Sequence, residues 1–411
     1  MGGYEFCSRT LAAVPEQILA TPFDHPKGKS SLAASPEWAA LLECSSPHPD
    51  LARLGNLLGE ASAPELLDLA EAHGVVTLLA ASLRHYDAEL DPPGIAQKIR
   101  DTHRAQVLAS LKMTAELFRL AGLFKESKLE VMLVKGPTLA LRAYGDAGAR
   151  QYGDLDFVLR QRDILRATEL MTSAGYQPEI SLDAIGAEKI PGQYMFVRVA
   201  APLLVELHTE RTMRYFPHGL PVEEFFARRQ IVSLDGHEVP ALSIEDELIL
   251  ICIHGAKHLW ERLTLIADVA AFTARQTELN WERCFATARG VGAGRMLCTG
   301  LLLARNLLRA PLPPQILDRV QADSLAGRLA TQIATWLPAA GDAPPGLLSR
   351  ALYRLRMRGN TVLGLAYLLR LTFSPTQEDW SPADGQQTSG RLASMRRPRR
   401  LAKKYRGGYK T

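Results

Sequence analysis

Apolar residues recur along this chain with two different periods, and the switch between them divides it. From Pro36 to about Glu126 they return every three or four positions, as at Leu51, Leu54, Leu57 and Leu58, at Leu66, Leu69 and Ala72, and through the long stretch 95–124. That period puts them on one face of a helix. Pro64, just after Ala63, fits the first turn of such a helix, where its missing N–H leaves no bond unmade. At Leu129 the pattern changes. The run 129–134 (LEVMLV) predicts a buried strand ending at Lys135-Gly136, and 137–144 predicts a short helix opened by Pro137. The run 154–159 (DLDFVL) begins polar and turns apolar, as a strand does that starts at a rim and runs inward. A helix is expected over 164–174, closed by Gly175, and then strands over 194–199 and 203–208 across the turn-like Ala200-Ala201-Pro202. From Ser243, which with Asp246 has the spacing of a helix cap, the helical period returns to about Leu371, with breaks near 311–314 and 341–346.

The expected fold class is therefore α+β, a small mixed β-sheet core between two helical regions. The expected boundaries are a flexible arm over 1–36, an N-terminal helical region over 37–126, an α/β core over 127–240, a C-terminal helical domain over 241–373 and a disordered basic tail over 374–411.

Composition changes this picture little, and charge changes it once. At 47% apolar and 22% charged, the 411 residues have the make-up of a globular protein. The net charge of +4 is concentrated near the end: nine basic residues and no acid lie between Arg391 and Lys410, and removing those nine leaves the rest at −5. An acidic body, with only Tyr405 and Tyr409 to stack on bases in the tail, argues against nucleic acid as the partner. No run approaches the roughly 18 apolar residues of a membrane span, and the first ten residues lack a secretory signal or a myristoylation site. The five scattered cysteines form no CxxC pair, which fits reduced thiols and a cytoplasmic location.

The chemistry points to carboxylates. Asp154 and Asp156, two apart on a strand, face the same way with Cα atoms about 6.6 Å apart. Such a pair repels itself unless a cation lies between, and one hard cation, or two spaced roughly 3.5–4 Å, would satisfy it. A third acid, Glu206, shares its strand face with His208, while Val205 and Leu207 point the other way. The bland alternative is a solvated turn at Asp154–Asp156 and an outward-facing Glu206. Lys135-Gly136, ahead of a helix, offers a close backbone approach and a helix N-terminus to a phosphate, although no P-loop is present. Arg150 either reaches a triphosphate or forms a structural ion pair. The cluster Gly290-Val291-Gly292-Ala293-Gly294 lacks a dinucleotide fingerprint and marks a break between helices. His254 and His258 are four apart on a helix, but Gly255 stands where a zinc protease carries its glutamate. His254 is then a half-buried structural residue, or this helix sends Lys257, His258 and Arg262 toward a nucleotide.

Taken together, Leu133-Val134-Lys135-Gly136, Tyr144, Arg150, Asp154-Leu155-Asp156, Glu206-Leu207-His208, and His254 to His258 with Trp260, Arg262, Leu263 and Asp268 resemble the uncharacterised nucleotidyltransferase family of the polymerase-beta-like superfamily, over about 36–272. The resemblance implies a metal-dependent nucleotidyltransferase with Asp154, Asp156 and Glu206 as catalytic metal ligands, most simply for two Mg²⁺ ions, with Mn²⁺ as a substitute. It implies a nucleoside triphosphate such as ATP as donor, held by Lys135, Gly136, Arg150, Lys257, His258 and Arg262, with Asp268 positioning a side chain. The acceptor would be a peptide, a protein or a small molecule. The Gly136-Pro137 turn departs from the superfamily's usual Gly-Ser or Gly-Gly and keeps open an alternative, a nucleotide-binding or scaffold protein of the same fold without turnover.

Overall fold

The computed structural model describes residues 32–83, 95–179, 192–198, 203–210, 219–339, 347–358, 361–373 and 397–399. Residues 1–31 of the arm expected over 1–36, the turn at 200–202, the break at 341–346 and most of the basic tail lie outside these residues; the rest of the arm holds a short 3-10 helix, Leu32–Ala34, and the start of the next helix at Pro36. Of the tail, Arg397 to Arg399 are helical and Arg397 is buried.

The helical period of the first third becomes α1 (Pro36–Ser45), α2 (Leu51–Glu60), α3 (Ala63–His73), α4 (Val76–Leu83) and α5 (Ile95–Glu126). Pro64 lies in the first turn of α3, and Gly74 ends that helix at φ +67. The middle third supplies β1 (Met132–Val134), α6 (Gly136–Tyr144), β2 (Asp154–Val158), α7 (Ile164–Ser173), β3 (Tyr176–Pro178), β4 (Gln193–Arg198), β5 (Leu203–His208), α8 (Val222–Arg228), β6 (Gln230–Leu234) and β7 (His237–Ala241). The last third is α9 (Ile244–Lys257), α10 (Leu263–Arg275), α11 (Trp281–Gly290), α12 (Gly294–Leu308), α13 (Pro314–Gln321), α14 (Ser324–Trp336), α15 (Leu347–Arg356) and α16 (Thr361–Phe373). Ser243 caps α9 by accepting from the Asp246 N–H, and the glycine cluster separates α11 from α12. No described helix is long and apolar enough to cross a membrane.

The seven strands form one mixed sheet in the order β3-β4-β5-β2-β1-β7-β6. The central pair β2–β5 and the pair β1–β7 are parallel; the others are antiparallel. Strand alternation sorts the sheet into two faces. Leu155, Phe157, Val205, Leu207, Tyr194 and Phe196 pack into one apolar cluster with Leu117, Phe124, Ile164 and Met171 of α5 and α7. Met132, Val134 and Val158 face the opposite way, into a second cluster built mainly from α1 to α4, α6, α8 and α9 to α15. The candidate site is on that second face. The two halves are tied together by Arg142 of α6, whose buried guanidinium donates to Glu247 of α9 (2.6 Å), to the Leu242 carbonyl (2.8 Å) and to Gln230 of β6 (2.8 Å).

Candidate active site

The register of the central parallel pair assembles the acids. Asp156 lies beside Glu206, and Val158 beside His208. Because Leu155 and Phe157 take the apolar face, Asp154 and Asp156 must take the other, together with Glu206 and His208. Asp156 is only 3% exposed, so the pair sits deeper than a strand rim; Asp154 is half-buried. His208 Nε2 lies 2.7 Å from Asp156 Oδ1 and 3.2 Å from Glu206 Oε2, and Gln193 of β4 donates to Glu206 Oε2 at 2.7 Å. Asp156, Glu206 and His208 each offer an atom, all within 4.8 Å of one another, a donor set that suits a metal ion. Asp154 is on the same face but outside that tight group.

Cations close the other side. Lys135, at the turn from β1 into α6, places Nζ 2.7 Å from Asp156 Oδ2 and 3.4 Å from His254 Nδ1. Burial alone would push its ammonium down; Asp156, Asp154 and Glu206 overcome that and hold it above its ordinary value. Burial would likewise raise the Asp156 carboxyl, but Lys135 and His208 carry it well below the usual range. At Asp154 burial and then the Asp156 charge outweigh the pull of Lys135 and raise it to about 6. Burial would lower the His208 imidazole, and its bonds to Asp156 and Glu206 raise it instead.

The helical domain brings His254, Lys257 and His258 to the same place, whereas Arg262 lies against Gly74. The His254 and His258 rings are 4.5 Å apart, and burial, reinforced by neighbouring lysines, keeps both neutral, His258 at about 3. His254 therefore faces Lys135 rather than serving only the core. Lys257 reaches solvent, yet burial and then the Lys135 charge push its ammonium down, as at the wall of a cleft. The Arg262 guanidinium lies over Gly74, where an added Cβ would meet Nη2 at 2.6 Å, and is lowered by burial and then by Arg150. Arg150 itself is committed elsewhere. Its Nε lies 3.0 and 2.9 Å from the two oxygens of buried Asp268, which also accepts from the Tyr144 hydroxyl at 3.0 Å. The structural ion pair is thus the arrangement present, with Asp268 positioning Arg150 and Tyr144. Gly255 has a packing reason: a Cβ there would overlap the Trp260 ring, which also touches Gly300.

The structure adds two members to the site, His208 as a donor and Gln193. The i, i+2 argument that selected the aspartates applies equally to Glu206 and His208. Gln193 carried no signal until β4 was seen to pair with β5.

No curated protein matches this chain. Among solved structures, an antigenic nucleotidyltransferase-like protein from Paracoccidioides brasiliensis is similar with a TM-score of 0.31 and 16% identity, over 50% of this chain and 93% of that one. The sequence profile of an uncharacterised nucleotidyltransferase family matches residues 59–309. That span starts later and runs further than the motifs alone suggested, through α12, and takes in the acids, the lysine turn and the α9–α10 signature; the chain belongs to this family.

Proposed function

We propose that this protein transfers a nucleoside monophosphate group from a nucleoside triphosphate, ATP among them, to a hydroxyl or similar acceptor on a peptide, a protein or a small molecule, the acceptor oxygen bonding to the α-phosphorus as the α–β anhydride bond breaks and pyrophosphate leaves. The observation that carries the reading is the side-by-side placement of Asp156 and Glu206 on β2 and β5, with His208 bridging them. Asp154, Asp156, Glu206 and His208 would hold Mg²⁺, or Mn²⁺, which when bound neutralises charge developing on the phosphoryl group and on the attacking oxygen. Glu206, held by Gln193, completes the donor set and assists loss of the acceptor's proton. Lys135, Lys257 and Arg262 supply the positive charge without which three carboxylates would repel a triphosphate. Gly136, buried at the first turn of α6, has open space where a side chain would stand, which leaves room for a phosphate close to its backbone. His258, neutral at pH 7, contributes hydrogen bonding rather than charge. In this reading Arg150 acts through the Tyr144–Asp268 network. The four described cysteines are free and buried, which fits a reducing cytoplasm.

The test is to incubate the full chain with each labelled triphosphate, Mg²⁺ or Mn²⁺ and candidate acceptors, then look for an adduct heavier by one nucleoside monophosphate. Asp156→Asn and Glu206→Gln should lose the adduct by several orders of magnitude. Undiminished adduct in both variants would sink the proposal. The ammonium of Lys135 seated on Asp156 favours one second reading, nucleotide binding without turnover. That reading predicts triphosphate affinity in the wild type with no adduct from any acceptor.

A further inference from the structure

We infer that Lys135 is a built-in cation of the acidic cluster, filling one of its two cation places, so that the free protein takes one divalent ion and a second enters only with the nucleotide. The inference rests on reading the cluster as a metal and nucleotide site.

The backbone is bent to deliver this side chain. Val134 is the register partner of Asp156, so the next residue leaves the sheet beside the acids. Lys135 makes the turn with φ 59 and ψ −137, a conformation that costs a residue with a Cβ, and Gly136 follows at φ +50. What the strain secures is contact: Nζ lies 2.7 Å from Asp156 Oδ2 with the side chain 17% exposed, while Oδ1 of the same carboxylate faces His208. An ammonium so placed holds the Asp156 oxygen that a further ion would need.

Charge balance decides the number of ions. Asp154, Asp156 and Glu206 carry three negative charges when ionised, and with His208 neutral, as a metal ligand must be, Lys135 offsets one of them. Lys257 and Arg262 make no ion pair with these acids among the described residues. The two charges left over match one divalent ion. A second ion in the free protein would leave a largely buried site two charges in excess, which a low-dielectric surrounding opposes. A triphosphate brings about four negative charges of its own, creating the place for the second ion. Lys257 and Arg262 then face what remains of the phosphate charge.

The experiment counts Mn²⁺ bound per full-length chain, from the electron paramagnetic resonance signal of the free ion. The wild type without nucleotide should bind one ion, and a non-hydrolysable triphosphate analogue should raise the count to two. Lys135→Met, isosteric and neutral, should bind two without nucleotide, while Lys135→Arg should return to one. A wild type that binds two ions alone, or none, overturns the inference, as does a Lys135→Met chain that stays at one. If Lys135→Met does not melt cooperatively, the wild-type counts with and without the analogue decide. The two readings fail separately. The expected ion counts with no adduct from any acceptor would defeat transfer but not the role of Lys135. Adduct formation by a protein that binds two ions without nucleotide would do the reverse.

Discussion

Replacing Asp268 tests whether Arg150 is held by the fold or free for a ligand. Asp268 is 2% exposed and accepts from both the Arg150 Nε and the Tyr144 hydroxyl. Asp268→Ala leaves a guanidinium and a phenol in a dry environment with no acceptor. Breaking a buried ion pair from one side costs about 3–5 kcal/mol. A stranded hydroxyl costs about 1–3 kcal/mol on its own; the two penalties overlap, so a total of about 4 kcal/mol is expected. At roughly 2–4 °C per kcal/mol for a domain of this order, the melting temperature should fall by about 10 °C. The double variant Arg150→Met with Asp268→Leu should recover most of that loss, because an apolar pair of similar volume replaces a buried ion pair at little cost. Thermal and urea denaturation of the wild type, both single variants and the double variant give the coupling directly. A loss under about 1 kcal/mol in Asp268→Ala, or a double variant no more stable than that single, would refute the reasoning. An Arg150→Met chain of full stability that fails to bind triphosphate would instead put Arg150 on the nucleotide.

Asp154 titrates at about 6 against an ordinary 3.8, so it holds its proton in the fold where the unfolded chain has lost it. Its ionisation therefore removes stability as pH rises from about 4 to 6. With chelator present, Asp154→Asn should match the wild type near pH 4 and exceed it at pH 7 by about 1–3 kcal/mol; equal pH profiles would contradict this. Gly255→Ala drives a methyl group into the Trp260 ring, and urea denaturation should show a loss of about 1–3 kcal/mol, whereas Gly59→Ala, in open space, should show none. Lys257→Ala and Arg262→Ala should each weaken triphosphate binding about tenfold by titration calorimetry, one lost charge contact being worth about 1.4 kcal/mol. Melting temperatures should stay within a degree or two, and affinities that do not change would remove both residues from the nucleotide wall.

Where pattern and burial agree, the fold was legible. The strand at 203–208 follows from its apolar start and the alternation that succeeds it, Val205 and Leu207 being buried while Glu206 and His208 are only partly so. β1 came out shorter than the run 129–134 because the end of α5 uses its first residues: Lys128 turns at φ 53 and the Leu129 N–H bonds back to the Phe124 carbonyl. The β6–β7 hairpin went unread despite a plain signal, Asp235-Gly236 at positive φ between alternating residues. The three-residue β3 carries too little pattern to show. In the site, strand period places the acids on one face, and the expectation of Glu206 on a strand neighbouring that of Asp154 and Asp156 agrees with the pairing of β2 and β5; the register that sets Asp156 beside Glu206 leaves no local trace between parallel neighbours. The destination of Arg150 was illegible for the same reason: its acid is more than a hundred residues away.

The parallel join of β2 to β5 also has a consequence for how the chain folds. A slip of one residue in β5 would swing Glu206 and His208 into the apolar layer with Phe124 and Met171, and bring Val205 and Leu207 out against the aspartates. Such a sheet would be both unstable and incapable of chemistry. The two strands meet only after the intervening chain has looped back, a long-range closure that is slow to form. Correct threading and a complete set of acids therefore arise in one event, and under the proposed metal-binding reading ion uptake during refolding would report that the central strands have found their register.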